Sequence, residues 1–89
     1  MMTHGVEYLV SVVDKDIPKL PKTMKTLIKT AIEERLMIDP LGFGKPLRYS
    51  LKGHRRLRVG DHRVIYRINP ETKIITITAI KHRKDIYED

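Results

Sequence analysis

Arginine occupies positions 55, 56, 58, 63 and 67, with His54 and His62 set among them. A guanidinium is a permanent cation whose planar fork of donors matches a phosphate, so such a cluster is equipped to hold and neutralise a polyanion. It is poorly equipped to abstract a proton, because its pKa lies above about 12. The chain has no cysteine, which removes thiolate nucleophiles, thiolate metal ligands and disulfides. Its four histidines, His4, His54, His62 and His82, show no recurring ligand spacing, so a zinc site is not indicated. Leu41-Gly42-Phe43-Gly44-Lys45-Pro46 has two glycines, but neither the spacing nor the Lys-Ser/Thr of a phosphate-binding loop.

The arginines need a scaffold that gathers them, and the residues around Gly60-Asp61 provide one. Alternating residues on either side of a two-residue turn predict a hairpin, with Val59 opposite His62, Arg58 opposite Arg63 and Leu57 opposite Val64. One face then carries His54, Arg56, Arg58, Arg63, Ile65 and Arg67, and the other Leu57, Val59, Val64, Tyr66 and Ile68. Like charges directly opposite on a sheet are destabilising by up to about 1 kcal/mol. Either an anion sits between Arg58 and Arg63, or their long side chains splay into solvent.

Charge distribution agrees with the cationic face. Up to Gly44 six Lys or Arg balance six Asp or Glu; from Lys45 onward twelve face five, which is the whole net charge of +7. A one-sided excess is the footprint of a polyanion binder, most often of nucleic acid. An anionic membrane would attract it too, but the bases fall on strand patterns rather than on an amphipathic helix. There is no apolar run near the roughly 20 residues that span a bilayer, and Met1-Met2-Thr3-His4-Gly5 is not a signal peptide. The expectation is a soluble cytoplasmic protein, with residues 1–89 forming a single domain.

The remaining elements follow in order. Val6 to Val13 reads as a buried strand, and Asp14 as the N-cap of a short helix through Leu20. A second helix starts at Pro21 and runs to about Ile38, with Met24, Leu27, Ile28, Ala31 and Ile38 as its apolar stripe. Asp39-Pro40 ends it, residues 41–46 read as a loop, and Leu47 to Leu51 as a short strand. After the hairpin, Asn69-Pro70-Glu71-Thr72 turns the chain into a β-branched strand from Lys73 to Ile80, with Arg67 opposite Ile74. The order predicts an α+β fold: two N-terminal helices packed on one face of a small twisted antiparallel β-sheet. The other face is left open and cationic, with a charged tail able to fold across it.

Leu57-Arg58-Val59-Gly60-Asp61-His62-Arg63-Val64-Ile65-Tyr66 resembles the L-R-V-G-D-Y-R-V-I-Y block of the RelE/ParE superfamily, toxins of toxin–antitoxin systems. His82-Arg83-Lys84-Asp85-Ile86-Tyr87 resembles its usual ending, and residues 14–22 its first-helix pattern. The resemblance implies one of two activities: RelE-type cleavage of mRNA in the ribosomal A site, or ParE-type poisoning of DNA gyrase without cleavage. A simple RNA-binding module is a third reading.

For RelE-type chemistry the resemblance implies Arg63 as phosphate clamp, Arg56 where the family often has a lysine base, and Arg83 and Tyr87 in the tail, with Tyr87 stacking on a base. Since Arg56 is a poor base, Lys52 and His82 become the expected proton-transfer groups, with His54 behind them; His62 faces the core side by register. Arg58, His54, Arg67, Lys81 and Lys84 are expected to bind RNA. Neither a metal nor any other cofactor is implied. The implied partners are the ribosome, mRNA and a cognate acidic RelB-like antitoxin, wrapped over the chain in a toxin–antitoxin hetero-oligomer.

Overall fold

In the computed structural model, which describes residues 2–48 and 51–85, a five-stranded sheet is covered on one face by helices. Strand β1 (Gly5–Tyr8) is shorter than its apolar run suggests. The carbonyl of Leu9 accepts the N–H groups of Val12 (3.0 Å) and Val13 (3.2 Å), turning the chain into a helical segment. That segment comprises a π-turn at Val12–Asp16 and a 3₁₀ turn at Ile17–Lys19. Asp14 therefore lies inside a helical turn rather than capping it, and the residue at the cap, Ser11, makes no side-chain hydrogen bond.

Pro21 stands one place before the next helix, α1 (Lys22–Ala31), in extended conformation, and its carbonyl accepts the Lys25 N–H at 3.0 Å. A π-turn at Ile32–Leu36 continues α1, closed by the Met37 N–H bonding back to the Ile32 carbonyl. The wider turn rotates the apolar stripe away from a 3.6-residue period. Ile28, Ala31, Ile32 and Leu36 are buried, whereas Leu27 and Ile38, expected inside, are 54% and 40% exposed.

What reads as a loop after Ile38 is more structured. Asp39 caps a single turn, α2 (Pro40–Phe43), by accepting the Gly42 N–H at 3.0 Å, and β2 (Lys45–Pro46) follows. The short strand is thus these two residues; Leu47 and Arg48 lie beyond it, and Tyr49 and Ser50 are outside the described residues. Tyr66, fully buried, donates its hydroxyl proton to the Pro40 carbonyl at 2.6 Å. Burial pushes that phenol above its ordinary pKa, keeping the donor protonated. Gly44 packs so closely on Tyr66 that a Cβ there would overlap the hydroxyl.

Strands β3 (Arg55–Val59), β4 (His62–Asn69) and β5 (Ile74–His82) complete the sheet, in the order β1-β5-β4-β3-β2. The β3–β4 hairpin has the expected register, with Arg58 opposite Arg63 and Val59 opposite His62. Gly60 supplies the positive φ of 59° that its turn requires. The next turn consumes more chain than expected: β4 runs to Asn69, whose Oδ1 accepts the Glu71 and Thr72 N–H groups, and Lys73 takes φ 59°. Arg67 consequently faces Thr76 rather than Ile74. The slip is two residues, so side-chain parity survives and Ile75 and Ile77 still point inward. An irregularity at Ile65/Tyr66 then shifts the ladder, placing Ile65 opposite Ala79 and Arg63 opposite Lys81.

The fold is α+β as expected, and β2 to β5 pair antiparallel. Strand β1 joins the edge of β5 in parallel, making the whole sheet mixed. Between sheet and helices lie Val12, Leu20, Ile28, Ile32, Leu36, Leu57, Val64, Tyr66, Ile75, Ile77 and Ile80.

Candidate nucleic-acid interface

The hairpin brings Arg56, Arg58 and Arg63 to the face away from the helices. That face is recessed rather than simply open, because Arg63 is only 6% exposed and Ile65 2%. Nη1 of Arg63 donates toward the carbonyls of His62 (3.2 Å) and Gly60 (3.4 Å), laying the guanidinium along the turn. Burial first, and then the fields of Arg58, Arg56 and Arg83, pull its pKa below the ordinary arginine value, with Asp61 opposing. A cation held under those conditions gains more from an arriving anion than an exposed one does.

Arg83 reaches the cluster from a 3₁₀ turn, Arg83–Asp85, that follows β5 directly. Its N–H donates to the Asp61 carbonyl at 2.8 Å, and its guanidinium lies 3.6 Å from the Asp61 carboxylate. The tail is thereby fastened to the tip of the hairpin.

His82, paired with His62 across β4 and β5, packs edge-on against it with ring centroids 5.3 Å apart. His82 Nδ1 accepts the Lys84 N–H at 3.2 Å, so the neutral ring in this geometry carries its proton on Nε2. His62 is pushed below its ordinary pKa by burial, then by His82 and Arg63, with Asp61 pulling the other way. Both rings line a cavity of about 560 Å³, together with Lys19, Lys81, Asp16 and Asp85.

Other expected site residues lie elsewhere. Lys81 is bound to Asp16 at 2.7 Å, and Asp16 also accepts the Ile80 N–H at 2.9 Å. Asp16 is only 6% exposed. It clamps the helical segment to the stretch of β5 beyond the reach of β1, and nothing local in the sequence marks that long-range contact. Lys84 is exposed beside His82. Lys52, in the turn before β3, and His54, half-buried at its start, belong to the opposite end of the hairpin. Arg67 is at that end too, four residues or about 13 Å along β4 from Arg63. Tyr87 lies outside the described residues. Among the described residues no group of three or more His, Cys, Asp or Glu side chains is arranged to hold a metal ion. No helix among them is long and apolar enough to cross a membrane.

Comparison with known proteins places this arrangement among relatives. The family described as "ParE toxin of type II toxin-antitoxin system, parDE" matches residues 11–87. Toxin RelG of Mycobacterium tuberculosis is 37% identical over 73 residues, covering 82% of this chain and 84% of that protein. The crystal structure of the toxin–antitoxin complex RelBE2 from M. tuberculosis contains a chain with TM-score 0.83 and 31% identity, over 90% of this chain and 98% of that one. The archaeal RelE–RelB complex from Pyrococcus horikoshii gives 0.71 and 30%, over 96% and 100%.

Proposed function

The chain belongs to the RelE/ParE superfamily of toxins from type II toxin–antitoxin systems, and on that premise we propose that it is a ribosome-dependent mRNA endoribonuclease, held inactive by a cognate antitoxin. The observation that carries the reading is the convergence of Arg56, Arg58 and Arg83 on the buried guanidinium of Arg63. Cleavage through a ribose 2′-hydroxyl builds negative charge on a phosphorane, and preorganised cations in a recessed site are the means of stabilising it. Arg63 clamps the scissile phosphate, Arg56 and Arg58 neutralise its oxygens, and Arg83 approaches from the tail side. His82 shares the helix-side face with its cross-strand partner His62, so its Nε2 donor serves at the end of the sheet and not on the face that carries Arg63; for it to carry a proton, its contact with Lys84 must open. Lys52, at the far end of β3, is the second candidate for proton transfer, and Tyr87 stacks on a base.

The antitoxin that fits this surface is acidic and RelB-like, since the two similar structures described above are RelE–RelB complexes, and it gains affinity by neutralising the excess of +7. The ribosome and mRNA complete the set of partners, and the compartment is the cytoplasm.

The name of the matching family supports a second reading, a ParE-like inhibitor of DNA gyrase with no nuclease activity. Primer extension on an mRNA translated in a cell-free extract with the purified protein separates the two. Codon-registered breaks that require ribosomes support the first reading; intact mRNA with inhibited supercoiling supports the second. Arg63→Ala is expected to lose cleavage by at least about 100-fold, the scale of losing one preorganised oxyanion donor, with an unchanged circular dichroism spectrum. Full activity in that variant would refute the assignment.

A further inference from the structure

At the edge of the sheet beyond the arginine cluster, a cleft of about 170 Å³ is lined by Arg35, Phe43, Lys45, Arg56, Leu57 and Arg58. Four cations and no acid stand among the described residues that line it. Phe43, the only phenylalanine in the chain, is half exposed on its wall. We propose that this cleft is a nucleotide subsite, in which Phe43 stacks on one base of single-stranded RNA while the surrounding cations hold the adjoining phosphates.

The turn that presents Phe43 is fixed from several directions. Asp39 caps it through Gly42, Tyr66 holds the Pro40 carbonyl, and Arg55 Nη2 donates to the carbonyls of Leu41 (2.9 Å) and Gly44 (2.8 Å) on either side of Phe43. An apolar ring kept partly in water on a frame this well bonded is preorganised for a flat partner. Every base offers such a face, and the stacking tolerates sequence.

Position supplies the second argument. Arg56 and Arg58 line the cleft and also act on Arg63, so a strand whose scissile phosphate sits on Arg63 meets the cleft next along its backbone. The subsite rests on the proposed RNA chemistry and extends it by a nucleotide. An acidic protein segment would also meet the cations, but a half-exposed aromatic ring between basic side chains matches the alternation of base and phosphate better.

The test needs neither ribosomes nor cleavage. Because the chain has no tryptophan, Phe43→Trp installs a single indole fluorophore in the cleft. A 2′-O-methylated RNA hexamer, which cannot be cut, is expected to quench it saturably, while inorganic polyphosphate is not. By anisotropy with the labelled hexamer, Phe43→Ala is expected to weaken binding about tenfold without changing its salt dependence. Lys45→Met is expected to reduce the slope of log K against log salt by about 0.7, one single-strand phosphate contact. Unchanged affinity in Phe43→Ala, absence of RNA quenching, equal quenching by polyphosphate, or quenching by an acidic peptide alone would each overturn the subsite. If primer extension shows no cleavage while the hexamer still quenches the indole fluorescence of the Phe43→Trp variant, the ribonuclease reading fails and the subsite stands. Codon-registered cleavage together with unchanged hexamer affinity in Phe43→Ala upholds the ribonuclease and removes the subsite.

Discussion

The Lys84 N–H on Nδ1 of His82 distinguishes two chemical roles for that imidazole. A neutral ring with its proton on Nε2 can stabilise charge by donating a hydrogen bond, whereas a proton carrier must pass through an imidazolium whose Nδ1–H would oppose the Lys84 N–H. His82→Gln keeps a neutral donor and is expected to retain cleavage within about tenfold, while His82→Ala loses about 100-fold. Equal loss in both variants, measured by single-turnover cleavage on programmed ribosomes, would instead make His82 a proton carrier. Its neighbour His62 bears on stability. Its folded-state pKa is depressed, by burial and by His82 and Arg63 against Asp61, so below about pH 6.5 the unfolded chain takes the proton first. Stability should therefore fall as pH drops from about 6.5 toward the folded-state value, then level off once the native ring protonates as well. Melting temperatures between about pH 7 and 5 should show this loss in the wild type and a flatter profile in His62→Gln.

Among the elements, α2 and its neighbours form a closely packed junction. Tyr66→Phe strands the buried Pro40 carbonyl at a cost of about 1–3 kcal/mol, and Gly44→Ala, which drives a methyl into the Tyr66 hydroxyl, should cost at least as much. Removing the hydroxyl relieves only part of that clash, because the Tyr66 ring and the Arg56 carbonyl also crowd the position. Urea denaturation of both single variants and the double variant should therefore give less than additive destabilisation. This junction was not legible in the sequence, where Leu41-Gly42-Phe43-Gly44 has the composition of a connection. The β3–β4 hairpin was legible to the residue, because alternation and a Gly-Asp turn are local signals. The π-turn at Ile32–Leu36 was not, since no residue there departs from ordinary helical preference.

For the whole molecule, the cationic floor was visible in charge distribution and register, but its depth was not. Arg63 is flanked by the ladder shift at Ile65/Tyr66 and by the tail fastened to Asp61, and neither has a local signature. The same long-range character separates Lys52, His54 and Arg67 from the cluster. Sequence parity puts His54 and Arg67 on the correct face and says nothing about distance along it.

The parallel seam between β1 and β5 has a consequence for synthesis. Glu7 accepts a hydrogen bond at 2.8 Å from Thr76, 69 residues later, and Asp16 waits equally for Ile80 and Lys81. During translation the first strand emerges without its partner, and contacts separated by so much chain form slowly. Strand β5 and the turn after it, which close the sheet and bring Arg83 to Arg63, leave the ribosome after the other strands. A partly made chain therefore lacks the assembled cluster.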